Sequence, residues 1–208
     1  MTVSFTPYCR SAPDPLPPRP QRGFLPSLLA WLACLWFGAA LAAELEVKSA
    51  SLGLGEDGYV LNAEFRAELS ARLEDVVSRG VPLYLAAEFE LKRPRWYWFD
   101  EKVASRTQTY RLSYHALTRQ YRLSTGALHQ NFPSLEEALG VVSRIRDLPV
   151  ADKGALKPGE SYEAQLRLHV DLSQLPKPLQ VTAIGDQDWS VGSDWHRWSY
   201  TVPEREAK

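Results

Sequence analysis

The sequence predicts a mainly β protein: an antiparallel β-sandwich, immunoglobulin-like or similar, with two short helices. Three observations carry that prediction. In Val81–Leu91, the apolar residues Val81, Leu83, Leu85, Ala87, Phe89 and Leu91 point one way and Tyr84, Ala86, Glu88 and Glu90 the other. A period of two marks a strand with one face in a core. Tyr162–Asp171 repeats the pattern, with Tyr162, Ala164, Leu166, Leu168 and Val170 set against Glu163, Gln165, Arg167, His169 and Asp171. Most other strand candidates are also half polar, which favours antiparallel sheets packed through one face over a parallel α/β fold. A β-barrel with an internal cavity would show the same alternation and stands as the alternative.

The chain has 208 residues, 45% of them apolar and 24% charged, a composition ordinary for one globular domain. Its first 42 residues read as a leader. Residues 1–22 hold Arg10, Arg19 and Arg22 against the single acid Asp14, with five prolines between Pro13 and Pro20; such a run forms neither helix nor strand. Phe24–Ala43 then carries no charge and ends in the small residues of Ala40-Leu41-Ala42. A basic flank, an apolar run and a small-residue end predict a proline-rich secretory signal peptide cut between Ala42 and Ala43. A run of that length also spans a bilayer, so an uncleaved inner-membrane anchor with a periplasmic domain is the alternative. The basic side stays in the cytoplasm either way, and the remainder is expected to be exported to the periplasm. Lipidation at Cys34 fits poorly, because Trp31 precedes it and Leu35-Trp36-Phe37 continue the apolar run.

Both cysteines, Cys9 and Cys34, fall in the leader. Residues 43–203, expected to be a single β-rich domain, therefore have no disulfide, zinc–thiolate site or cysteine nucleophile. Without the leader the chain keeps 21 basic and 24 acidic residues, a net charge of −3. That balance argues against a nucleic-acid partner.

Taken in order, Leu45–Leu52 and Tyr59–Phe65 predict two strands joined through Asp57-Gly58, a pair suited to a tight hairpin. Leu69–Arg79 changes period: Leu69, Leu73, Val76 and Val77 share a helical face, Ser70 is placed to cap it and Gly80 to end it. After the strand at Val81–Leu91, Lys92-Arg93-Pro94-Arg95 predicts a bulge or bend, since proline cannot donate to the ladder. Trp96–Phe99 is expected to resume in extended form. Thr107–His115 and Gln120–Thr125 predict a further pair of strands around the turn Ala116–Arg119. Ser134–Ile145 predicts the second helix, with Ser134 and Glu137 spaced as a capping box. Tyr162–Asp171 and Leu179–Ile184 predict the last strands, and 204–208 a charged, disordered tail.

Signatures of catalysis are missing from the sequence. His115, His129, His169 and His196 lack metal-ligand spacing. There is no nucleophile elbow, phosphate loop or dinucleotide fingerprint, and Glu136-Glu137 reads as helix-surface charge. A non-enzyme without a cofactor is therefore expected. The stronger signal is arginine interleaved with aromatics. Arg93, Arg95, Arg111, Arg119 and Arg122, with Trp96 and Trp98, form a candidate binding face, because alternate residues of neighbouring strands project together. Guanidiniums there can grip an anionic group and aromatics can stack on sugars or rings. The same residues also suit plain packing, with aromatics in the core and arginines laid over their edges. Trp195 and Trp198 carry the same two readings, and together with Trp96 and Trp98 would line the cavity of a small-ligand binder.

Several segments resemble an uncharacterised family of exported proteobacterial proteins, labelled a domain of unknown function or "proline-rich signal peptide" proteins. They are Pro82-Leu83-Tyr84, Arg95-Trp96-Tyr97-Trp98 with Asp100, Leu112-Ser113-Tyr114, Leu117 to Leu123, Leu175 to Val181, and Ser193-Asp194-Trp195 with Trp198. The resemblance runs from Glu44 to Tyr200. It implies a cell-envelope location and, from the gene's frequent neighbour, an association with a membrane sensor kinase of the nitrogen-regulation type. The expected function is a non-catalytic interaction module that contacts an envelope or membrane protein, such as the periplasmic region of that kinase. The alternative is a periplasmic binder of an anionic or glycan-type small ligand.

Overall fold

Among the residues that a computed structural model describes, nine strands follow one another. Those residues are 45–204, except Trp98, 184–188, Ser190 and Val191. The expected leader with its Ala42/Ala43 cleavage site lies outside them, as does all of the expected tail but Glu204. The strands are β1 (Leu45–Leu54), β2 (Gly58–Ala67), β3 (Leu83–Arg93), β4 (Glu101–His115) and β5 (Gln120–Thr125). They continue with β6 (Leu128–Phe132), β7 (Arg144–Asp152), β8 (Ser161–Val170) and β9 (His196–Thr201). Three form one sheet in the order β1-β2-β7, and six form another in the order β6-β5-β4-β3-β8-β9. All pairings are antiparallel. Neither sheet closes on itself, so the protein is a β-sandwich and not a barrel.

The core lies between the inner faces. Leu83, Leu85, Ala87, Phe89 and Leu91 of β3 are buried, and register sets Phe89 beside Leu166 and Leu91 beside Ala164 of β8. From the smaller sheet, Val47, Leu52, Leu61, Ala63, Phe65, Ile145 and Val150 join the same cluster. Each large side chain so buried contributes about 1.5–3 kcal/mol. Chain contacts divide the protein into Met1–Leu41 and Ala42–Lys208. Among the described residues the buried cluster runs from Leu45 to Val202, within the second unit.

Among the described residues, three short helices seal the sheets. In α1 (Ala71–Ser78) the Leu73 N–H donates to Ser70 Oγ at 3.2 Å, and Leu73, Val76 and Val77 face inward. Gly80, at φ 87°, ends it by donating to the Val77 carbonyl at 2.8 Å, a left-handed stop that glycine adopts without a Cβ clash. In α2 (Leu135–Val142) the Glu137 N–H donates to Ser134 Oγ at 3.2 Å. This helix touches β2 and β7 of one sheet and β5 and β6 of the other.

The third helix, α3 (Lys177–Ala183), stands where a strand is predicted at Leu179–Ile184. Pro178 sits in its first turn, where the missing N–H would have no intrahelical partner anyway. Leu179 packs on the core and Ala183 is buried while Val181 is exposed, a helical spacing too short to be told from alternation. Two other boundaries move. The second helix stops at Val142, and Ile145 belongs to β7. Trp96, Tyr97 and Phe99 do not resume as a strand but belong to the turn between β3 and β4, and β4 begins at Glu101, well before Thr107.

Three of the four outer strands, β1, β6 and β7, are poor templates for further pairing. β6 is five residues long and largely exposed. β7 carries Pro149, a left-handed Asp147 at φ 50° and two register shifts against β2, and β1 is bulged between Val47 and Ser49. Bulges, proline and short edges all blunt edge-to-edge association. Among the described residues no helix is long and apolar enough to cross a membrane.

Candidate functional site

β4 is the longest strand, 15 residues, and with β3 it forms a hairpin whose tip is the loop Pro94–Asp100. Pro94 cannot extend the ladder, so β3 ends at Arg93, opposite Glu101. There the chain builds an ionic clamp. Glu101 Oε2 accepts from Arg93 Nε at 3.1 Å, from Arg93 Nη2, and from Arg95 Nη2 across the loop. Arg93 Nη1 also reaches Glu160 Oε2 at 3.3 Å, and the Tyr162 hydroxyl donates to that carboxylate at 3.0 Å. Next to the clamp, Glu90 pairs with Lys102 and, at 3.3 Å, with Lys92. The Arg95 N–H points to Asp100 Oδ1 at 3.4 Å.

Hydrogen bonds from Arg93, then Arg95, hold the Glu101 carboxyl below its ordinary range. Glu160 is lowered first by the Tyr162 hydroxyl and Glu90 first by Lys102. Each basic group at the hairpin base, Lys92, Arg93, Arg95 and Lys102, thus has a carboxylate partner. Exposed ion pairs of this kind add little stability; what they do here is set the shape of the loop.

Past the clamp the aromatics stand in the open. Trp96 is 93% exposed, Tyr97 66% and Phe99 85%, and the Trp96 and Tyr97 rings meet edge to face with centroids 5.1 Å apart. Trp98 lies outside the described residues. Three large exposed aromatics on one loop form the kind of patch that marks an interaction surface.

The other residues of the predicted face lie elsewhere. Arg111 of β4 and Arg122 of β5 share the outer side of the large sheet, where Arg111 sits 6.0 Å from the Tyr84 ring and Arg122 Nε donates to Asn131 Oδ1 at 3.2 Å. Between them runs an open groove of about 470 Å³, lined also by Ser124 and His129. Arg119, at φ 53°, is in the β4–β5 turn, at the far end of a strand whose rise separates its ends by roughly 45 Å. The hairpin tip, the outer groove and the turn are three separate places.

Among the described residues, Trp96, Trp195 and Trp198 lie in three different places. Trp195 stacks against Arg167, with Cζ 4.5 Å from its ring centre, on the outer side of the large sheet. Trp198 is paired with Ala164 and its ring lies 6.2 Å from that of Phe89 on the inner side. Trp96 is at the hairpin tip, away from both. His169 meets Glu88 at 3.9 Å through Nε2, while its buried Nδ1 has no hydrogen-bond partner among the described residues. Burial lowers its pKa from 6.5. No group of three His, Cys, Asp or Glu among the described residues is placed to hold a metal.

The sequence-derived face omits Tyr97, Phe99 and Glu101. Their signal was local: two rings continuing the Arg95-Trp96 pair, and an acid just beyond them to neutralise both arginines.

Fold and surface together define a two-sheet β domain that presents an aromatic loop on a salt-bridged hairpin. The chain belongs to the family described as domain of unknown function DUF4390, which it matches over residues 42–199. No curated protein and no solved structure matches it.

Proposed function

We propose that this protein is an exported, non-catalytic interaction module of the cell envelope whose contact surface is the β3–β4 hairpin tip. One observation carries the reading: Trp96, Tyr97 and Phe99, 93%, 66% and 85% exposed, stand together on a loop braced by Glu101. Leaving three such rings in water forgoes the burial that aromatics otherwise gain, and a loop set by an ionic clamp holds them ready for a partner. Export follows from the charge-free run Phe24–Ala43 behind a basic flank. A contact at the membrane also suits an accessory to a membrane sensor kinase, as the family resemblance implies. The test is a photo-cross-linking residue placed at position 96 in the exported protein in living cells, with a second at Lys153 for comparison. Adducts from position 96 but not from position 153 are the expected result; none from position 96 refutes the reading.

A second reading, a binder of an anionic or glycan-type ligand, is favoured by Arg111 and Arg122. They flank one groove, and neither has a carboxylate partner among the described residues.

A further inference from the structure

We propose that the groove on the outer side of the large sheet takes a phosphomonoester, gripped at its dianionic phosphate by Arg111 and Arg122. The proposal rests on the second reading above and names its ligand.

Strand register builds the site. Arg111 of β4 lies between Tyr84 of β3 and Ser124 of β5, and Ser124 lies opposite His129 of β6. These four positions form one row across four strands, about 14 Å from end to end at the usual strand spacing. Their side chains share the outer side, because the residues between them, Leu83, Leu85, Tyr110, Leu112 and Leu123, are buried in the core. Gly126, at φ 57°, makes the tight turn that brings β6 back beside β5 and sets Leu128 and His129 along the groove. Arg122 stands one step off the row. It is two residues out of register with Arg111 on the adjacent strand, a diagonal separation of roughly 7–8 Å that long side chains can bridge. Both guanidiniums can therefore reach one anion.

Each arginine is steadied by a neutral group. Arg122 Nε donates to Asn131 Oδ1 at 3.2 Å, and Arg111 lies 6.0 Å from the Tyr84 ring. Neither contact cancels charge. No carboxylate is among the described residues that line the groove. On the strands beside it, Glu88 pairs with Arg167 at 2.6 Å. Asp171, whose N–H donates to the Tyr84 carbonyl, has its Oδ1 on the Ser173 N–H and hydroxyl. Arg93, Arg95, Arg167 and Arg197, by contrast, are all answered by acids.

Two positive charges without an internal counter-ion match a dianion, whereas a single carboxylate would leave one of them unanswered. Guanidinium forks also fit phosphate oxygens two at a time, and the Thr109 and Ser124 hydroxyls add donors in the same groove. Its volume, about 470 Å³, is that of a small-molecule site and exceeds a bare phosphate. The remaining room, walled by Ala127 and Leu128, suits a sugar-sized body, which points to an ester and not to the free ion.

The test is calorimetric titration of the purified protein at low salt with glucose 1-phosphate, inorganic phosphate, glucuronic acid and glucose. Glucose 1-phosphate should bind at least about tenfold more tightly than inorganic phosphate or glucuronic acid, and its binding should fall steeply as salt is raised. Glucose should not bind. Arg111→Ala and Arg122→Ala should each weaken glucose 1-phosphate about tenfold, as losing charge-assisted contacts does. Arg146→Ala, on β7 of the other sheet, should change nothing. All three arginines are exposed, so an unchanged unfolding midpoint serves as the folding control. No binding of glucose 1-phosphate, or binding indifferent to both groove arginines, overturns the proposal together with the reading beneath it. Inorganic phosphate bound as tightly as the ester overturns the sugar-sized body. If glucuronic acid binds as tightly as glucose 1-phosphate and needs Arg111 and Arg122, the groove remains an anion site and only the phosphomonoester falls.

Discussion

Replacing Gly58 with alanine tests the pairing that holds the smaller sheet together. Gly58 opens β2 opposite Asp152 of β7. A Cβ there would overlap the Ala151 carbonyl oxygen and stand 3.1 Å from the Asp152 Cα. Both obstacles are backbone and cannot swing aside like a side chain, so β2 and β7 must part locally. Overpacking of this sort costs about 1–3 kcal/mol. The alanine also restricts the unfolded chain, which offsets about 0.4–1 kcal/mol. The net loss is about 1–2 kcal/mol, or a melting point lower by roughly 2–8 °C for a domain of this size. Gly53 in β1 supplies the comparison, since nothing lies within 4 Å of its Cβ position and its φ is not left-handed. Gly53→Ala should stabilise by about 0.4–1 kcal/mol. Thermal and urea unfolding of residues 43–208, followed by circular dichroism, would read both. If Gly58→Ala proves as stable as Gly53→Ala, β2 does not pair with β7 as described.

Acid should destabilise the domain in two stages. The His169 pKa is lowered from 6.5, mainly by burial, with Glu88 and Asp171 opposing and Arg167 assisting; its neutral form favours the fold above pH 6.5, and that contribution is lost as pH falls through the folded value. Glu90, Glu101 and Glu160 are lowered from 4.5, so their contribution is present above that pH and is lost below it. In urea titrations at stepped pH, His169→Gln should erase the upper stage and leave the lower one; persistence of the upper stage would assign it elsewhere. For the outer groove, Arg111→Ala with Arg122→Ala should weaken binding of soluble anionic cell-wall fragments at least about tenfold by calorimetry, as expected for losing charge-assisted contacts. Equal binding by the parent and the double variant would remove the groove from consideration.

Elements whose two faces differ strongly were legible in the sequence. β3 and β8 alternate, apart from a buried Ala86 and Gln165, because one face meets the core and the other meets solvent or outer-face ion pairs such as Glu88 with Arg167. Both predicted helices are fixed by a serine cap and an inward stripe. β7 was hidden because its register shifts break the period. Ile145 and Val150 are both buried although five residues apart, a spacing no regular strand gives. β6 has almost nothing buried to read. β9 did carry a signal, His196, Trp198 and Tyr200 alternating with exposed neighbours, but Trp198 and the Trp195 just before the strand suggested a ligand site instead. For the candidate site, the sequence showed which residues carry cations and rings and not where they lie. Arg95 and Arg119 are close in the chain, yet a long strand holds them at opposite ends of a hairpin.

The blunted borders of the two sheets bear on how such a protein lives. A polypeptide that crosses a membrane unfolded, as the proposed export would have this one do, must assemble on the far side among other newly delivered chains, where any bare, straight strand invites adhesion to a stranger. With proline, bulges and brevity along β1, β6 and β7, three of the four margins of this sandwich offer few such handholds. Under the proposed function, recognition is left to what protrudes from it, and a loop can change its rings without disturbing the layers beneath.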